Sequence, residues 1–276
     1  KKLNTMKLKM ISICLIFVII FISCKKEPLL VVGNSEVLLL SKVLTDNQPS
    51  NEYLYNDLNL IIEEKSKFDF TSYHYNGKGQ LVTAEFYSND DILSTDLRIF
   101  QTAMNSNILI TQANGKKVGT ITYEYNNNGE LIKTTYTGLL AGSTEYSEFT
   151  YDSNNRISKQ TMYWGNTAMG YIDYSYDIKG NLIKEILYNL PSTGVAELIT
   201  STRYDFDNKQ NPYRSFKQQI TPGINTNQNN IIKETYTIHL TPEQGSDKEQ
   251  ITETSYIYIA NGYPTGKNGN VVYVYK

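Results

Sequence analysis

The sequence predicts an all-β fold: a long antiparallel meander of about seven repeated β-hairpins, curved into a trough or a partly closed barrel. Three observations carry that expectation. A short phrase recurs along the chain, each copy reads as strand, turn and strand, and no strong amphipathic helix follows the N-terminal segment. The phrase is YHYNGKGQLV from Tyr73, YEYNNNGELI from Tyr123, FTYDSNNRIS from Phe149 and YSYDIKGNLI from Tyr174. Its common form is aromatic-x-aromatic-Asn/Asp-x-x-Gly/Asn-x-Leu/Ile, and a phrase copied along a chain marks one supersecondary unit used repeatedly.

Within a copy, Tyr-x-Tyr places two aromatic rings on one face of a strand, because side chains alternate with period two. Asp177-Ile178-Lys179-Gly180 then reads as a tight turn. The Asp or Asn side chain can accept from the backbone two residues on, and Gly supplies the positive φ of a hairpin closure. Asn155 takes the Gly place in one copy, as the next most tolerant residue. The segment after the turn, such as LIKEILY, is rich in β-branched and aromatic residues. One hairpin is marginally stable in water, so the copies must pair edge to edge, and a twisted sheet of this length must curl.

The copies at 123, 149 and 174 set a period of 25 or 26 residues. The gap from Tyr73 to Tyr123 is twice that, so a copy is expected near residue 98. The sequence there, RIFQTAMNSN, keeps only Phe100, which marks a degenerate or lost unit. YLYNDLNLII from Tyr53 is an earlier copy, one residue shorter, and Leu39-Leu40-Ser41-Lys42 matches the second half of a unit. Later copies drift: Tyr204-Asp205-Phe206-Asp207 keeps the aromatic pair, Asn230–Glu234 matches Asn181–Glu185, and Tyr256-Ile257-Tyr258 opens a copy ending Asn261-Gly262-Tyr263-Pro264. The chain then reads VVYVYK, an alternating strand. Strict alternation after the turn puts Val82, Ala84 and Phe86 on one face and Leu81, Thr83, Glu85 and Tyr87 on the other, and sets Ile183, Glu185 and Leu187 against Leu182, Lys184, Ile186 and Tyr188. Both faces then carry apolar and charged groups.

The N-terminus reads as an export signal over residues 1–23. A basic start at Lys7 and Lys9 precedes the apolar run Met10–Ile22, too short for a stable membrane span, and Ser23-Cys24 closes it. This junction resembles the lipobox of bacterial lipoproteins, which implies lipid attachment at Cys24. Lys25 after the Cys, rather than Asp, implies sorting to the outer membrane of a Gram-negative cell. Residues 24–35 are expected to be a lipid-anchored tether and 36–276 the repeat domain. Removing residues 1–23 takes away four Lys and no acid, which leaves 22 basic against 28 acidic residues, a net charge of −6. An acidic chain without a basic cluster argues against a nucleic-acid partner. The two cysteines are Cys14, inside the signal, and Cys24, so no disulfide is expected.

The sequence carries no HExxH, CxxC or GxSxG motif, so catalytic, metal and cofactor sites are expected to be none. His74 and His239 read as strand residues facing solvent. The carboxylates Glu63, Glu64, Asp90, Asp91, Glu145, Glu148, Asp173 and Asp177 read as a solvated sheet surface, although two converging across a cleft would suffice for a glycosidase. Of the aromatic residues, the expected loop from Tyr163 to Tyr171 lies outside the repeat phrase and holds the single Trp, so Tyr163, Trp164 and Tyr171 are the candidate binding residues, with a sugar stacking on aromatic faces as the chemistry.

The units resemble the tyrosine–aspartate (YD) repeats of the RHS class, on Tyr174-Ser175-Tyr176-Asp177 through Gly180 and Leu182. From about residue 36 onward the chain is similar to Gram-negative outer-membrane lipoproteins of uncharacterised function. These join a lipobox to degenerate YD-like hairpins with NPY and NGYP variants, here Asn211-Pro212-Tyr213 and Asn261–Pro264. The resemblance implies an exported, lipid-anchored β-repeat protein acting as a non-enzymatic binding or envelope-scaffold module. Its partners would be the membrane through the anchor, and a glycan or an envelope protein. The alternatives are a carbohydrate-active enzyme using an acid pair in the trough, and a small transmembrane barrel.

Overall fold

The computed structural model describes residues 38–88, 115–138, 145–216 and 221–276. The expected signal, tether and Cys24 lie outside them, as do Asp90, Asp91 and the degenerate copy near residue 98. Among the described residues, seventeen strands form one antiparallel sheet. They are β1 (Leu40–Thr45), β2 (Gln48–Tyr55), β3 (Ile61–Ser66), β4 (Asp69–Tyr75), β5 (Leu81–Ser88), β6 (Lys116–Tyr125), β7 (Leu131–Gly138), β8 (Glu145–Tyr151) and β9 (Ile157–Trp164). They continue as β10 (Thr167–Tyr176), β11 (Leu182–Asn189), β12 (Glu197–Phe206), β13 (Ile231–Ile238), β14 (Lys248–Glu253), β15 (Tyr256–Tyr258), β16 (Pro264–Lys267) and β17 (Val271–Tyr275). Neighbours in sequence pair in the sheet, except that no ladder joins β14 to β15 among the described residues, and β17 pairs with β1. The expected all-β trough is present, and the sheet is not closed into a barrel.

Five repeats close on the same hydrogen-bonded turn. In the copy at Asp177, its side chain accepts from Lys179 N and Asn181 N, its N–H donates to Asn181 O, and Gly180 donates back to Asp177 O. Asn56, Asn76, Asn126 and Asp152 do the same. The fourth residue sits at positive φ, filled by Gly79, Gly129 and Gly180 and tolerated by Asn59 and Asn155. A bulge follows every such turn. Tyr75 pairs with Leu81 while His74 pairs with Thr83, and the same shift recurs at Tyr55, Tyr125, Tyr151, Tyr176 and Phe206. The extra residue corrects the strict alternation read from sequence. Leu81 joins Ala84 and Phe86 in one core cluster, and Leu182 packs with Tyr174, while Ile132, Ile183 and Ile232 are left exposed.

The bulge also builds a ladder between units. The first residue after each turn is fully or nearly buried, as Leu40, Ile61, Leu81, Leu131, Ile157 and Leu182 show. Its carbonyl accepts the hydroxyl of the second aromatic of the next unit. Tyr55 donates to Leu40 O, Tyr75 to Ile61 O, Tyr125 to Leu81 O, Tyr151 to Leu131 O and Tyr176 to Ile157 O, at 2.7–3.0 Å. Burial holds these phenols above their ordinary pKa, so they remain donors.

Three departures from a simple meander matter. First, β5 pairs directly with β6, Tyr87 opposite Lys117, so no hairpin stands between them in the ladder; the sequence of the expected middle copy lies outside the described residues. Second, the turn after β12 is intact but split. Asp207 accepts from Lys209 N and Asn230 N as any other turn Asx does, although twenty residues of sequence separate Lys209 from Asn230 where other turns have one. Third, β17 and β1 together make one unit. Tyr273 and Tyr275 supply its aromatic pair, Leu40 and Val43 lie opposite them across the usual bulge, and paired Leu39 and Lys276 backbones replace the turn.

Candidate functional site

The register gives each unit one equivalent inward position, directly across from its first aromatic; the β17–β1 unit fills it with Val43, opposite Tyr273, and the other seven vary. Tyr53 faces Glu64, Tyr73 faces Ala84, Tyr123 faces Thr134, Phe149 faces Gln160, Tyr174 faces Glu185, Tyr204 faces Glu234 and Tyr256 faces Lys267. The turn Asx, the buried aliphatic and the aromatic pair are scaffold. This one place carries Glu, Ala, Thr, Gln, Glu, Glu and Lys in turn, and so most of the chemistry of the inner wall. At three of these places the first tyrosine of the next unit bonds to the acceptor: Tyr73 Oη donates to Glu64 Oε2 at 3.0 Å, Tyr174 Oη to Gln160 Oε1 at 2.8 Å, and Tyr204 Oη to Glu185 Oε1, whereas Tyr256 Oη passes Glu234 and donates to Ile231 O.

These groups keep some solvent contact, yet protein surrounds them. Burial pushes the Glu64 carboxyl up to about 7 against the opposing Tyr73 bond, raises Glu185 and Glu234, and lowers Lys267 to about 8. Glu64 therefore departs from the solvated surface expected for it. Folded Glu64 holds a proton that the unfolded chain releases, so its contribution to stability is complete below pH 4.5 and falls as pH rises to 7. Replacing Glu64 by Gln keeps the acceptor for Tyr73. Glu64→Gln is expected to stabilise the protein at pH 8 by about 1–2 kcal/mol, the pKa displacement discounted for the solvent that still reaches the group, and to change nothing at pH 4. Urea denaturation at the two pH values checks this.

Residues 210–216 and 221–229 lie against the turn end of the sheet and pack into it. Phe216 is 4% exposed and lies 4.8 Å from the Tyr53 ring, Tyr213 meets Tyr273 edge to face at 6.2 Å, and Ser215 Oγ bonds the Tyr55 hydroxyl. Buried asparagines sew them down. Asn181 Oδ1 accepts from Gln228 N and Asn229 N, Asn227 Oδ1 accepts from Leu182 N, and Asn211 Nδ2 donates to Asn227 O and Ile224 O. Between these two segments and the turns at 128–130, 155–157 and 176–180 lies a cleft of about 500 Å³, with Arg156, Arg214, Gln228 and Tyr151 in its walls.

The residues singled out from sequence do not share one surface. Tyr163 to Tyr171 is a strand pair closed by Gly165 and Asn166, not a loop. Trp164, 49% exposed, takes the face of Gln160 at the far end of the trough. Tyr163 and Tyr171 lie on the outer face. Tyr163 stacks on Tyr146 at 4.5 Å, and both faces of Tyr171 are covered, by Tyr188 at 4.7 Å and the Lys159 ammonium at 3.7 Å.

The two histidines differ. His74 is exposed on the outer face beside Glu85. His239 is not a plain solvent-facing strand residue. Its Nδ1 lies 2.6 Å from Asp247 Oδ2 and its Nε2 2.9 Å from Ser201 Oγ, while Asp247 Oδ1 accepts from Leu240 N at 2.9 Å. Ser201 lies on β12, His239 directly follows β13 and Asp247 directly precedes β14, and no short motif links them. Sequence reading missed this group for that reason.

No family model matches the chain, and no curated protein matches it. Solved structures that resemble it include two described as porin-like proteins. One, from Bacteroides uniformis, has 14% identity and a TM-score of 0.42, covering 86% of this chain and 98% of that one. The other, from Bacteroides vulgatus, has 12% identity and a TM-score of 0.37, covering 87% and 99%. The TcdB2-TccC3 structure matches at 12% identity and a TM-score of 0.30, and this chain spans 10% of its length. Identities and scores this low pass neither membership nor function to this chain.

Proposed function

We propose that the chain is an exported β-repeat protein, anchored by lipid at Cys24 to the outer membrane of a Gram-negative cell, that works as a binding or envelope-scaffold module. The observation that supports binding is the inner-wall row: a repeated scaffold in which one inward position per unit varies in charge and hydrogen-bonding character. Repeat architectures offer extended surfaces of this kind. The outer face carries the ion pairs Lys42–Glu52, Lys117–Glu85 and Lys159–Asp173, charges that a lipid-facing barrel wall would have to bury.

Metabolic lipid labelling of cells expressing the wild type and Cys24→Ala tests the anchor, with label expected in the wild type alone. Glycan-array and envelope pull-down experiments with the full chain test the binding role. A ligand is expected whose affinity falls at least tenfold when Glu185 and Glu234 are both changed to Gln. Absence of any ligand contradicts the reading. A second reading, a carbohydrate-active enzyme, is favoured by one arrangement: Glu185 and Glu234, both raised by burial, lie either side of Tyr204, which bonds Glu185. Hydrolysis of a bound glycan, abolished by either Gln change alone, decides for it.

A further inference from the structure

The geometry points to a nucleophilic serine on the outer face, outside the inner wall: we propose that Ser201, His239 and Asp247 form a relay that transfers acyl groups from esters. The carboxylate–imidazole–hydroxyl order is that of a serine hydrolase, with both bonds formed at 2.6 Å and 2.9 Å. Each ring nitrogen has a defined role. Asp247 accepts from Nδ1–H, which leaves Nε2 as the base facing Ser201 Oγ. The group is also held from behind. His239 N donates to Ile199 O, and Asp247 is fixed by the Leu240 N–H. A catalytic base needs such positioning, and a hydroxyl that only fills a gap does not.

In the step itself, Ser201 Oγ bonds to the ester carbonyl carbon while its proton passes to His239 Nε2. The carbonyl–oxygen bond to the leaving alcohol then breaks, and that alcohol takes the proton from His239. Water repeats the sequence on the acyl-serine and releases the acid. Ser201 faces outward on β12, with Thr237 directly opposite it in the β12–β13 ladder and Arg203 next along the same face. Ser201 keeps 8% exposure.

The test uses the full chain with a fluorophosphonate probe, read by peptide mass spectrometry, and p-nitrophenyl acetate hydrolysis. The expected result is one adduct, on Ser201, with ester hydrolysis that Ser201→Ala abolishes at unchanged melting temperature. Asp247→Asn should slow labelling at least tenfold, because it disturbs the Nδ1 partner without removing the nucleophile. No adduct on Ser201, or labelling that His239→Gln leaves unchanged, overturns the proposal. Glycan or envelope binding by the inner wall is read separately, so either can fail alone.

Discussion

Removing residues 271–276 is expected to unfold the protein. Although β17 comes last in sequence, it lies inside the sheet between β16 and β1. Its loss bares two strand edges at once and empties the places of Val271 and Tyr273, which are 7% and 5% exposed. Burying a large apolar side chain contributes about 1.5–3 kcal/mol, and two ladders and the Tyr275 bond to Pro264 O go with it. The total approaches the roughly 5–15 kcal/mol that holds a typical domain together. Circular dichroism and size-exclusion chromatography should show loss of the cooperative transition and aggregation through the new edges. A truncated chain that melts like the wild type would mean that β17 is not structural.

The second large effect is expected at Asn181, which is 1% exposed. Its Oδ1 accepts from Gln228 N at 2.9 Å and Asn229 N at 3.0 Å, and its Nδ2 donates to Asp177 Oδ2 and Asn229 Oδ1. Asn181→Ala leaves the Gln228 and Asn229 N–H groups without acceptors beside a buried turn. The expected cost is about 3 kcal/mol, a fall in melting temperature of roughly 6–12 °C for a domain of this size. Asn154→Ala, at an exposed turn position, should lie within about 0.5 kcal/mol of the wild type. Calorimetry of the two variants separates a buried hydrogen-bond network from a general sensitivity of turns.

The features legible in the sequence are those fixed by local chemistry. Asp177 to Gly180 reads as a turn because the Asx side chain and the positive-φ Gly act within a few residues, and Tyr174 and Tyr176 read as one face because of strand period. The bulge after each turn was not legible. It inserts one residue opposite Tyr176, and that shift decides whether Leu182 or Ile183 enters the core. Long-range placement was also hidden. Leu39–Lys42 was recognisable as half a unit and VVYVYK as a strand, but nothing local says that they complete each other. The insertion after Lys209 breaks the phrase at Asp207 and hides the matching Asn230. Of the candidate site, Glu64 was visible as a carboxylate and Glu185 only as one residue of an alternating strand, and the inward direction of both depends on register. His239 found its partners only through the β12–β13 pairing and the β14 turn.

Backbone hydrogen exchange followed by mass spectrometry tests most directly the claim that the first and last strands form one repeat in the middle of the sheet. Peptides covering 38–45 and 271–276 should exchange together and as slowly as β4 and β5, opening only with the whole domain. Rapid exchange of 271–276 while β4 and β5 stay protected would contradict the account, because β17 would then be a frayed edge.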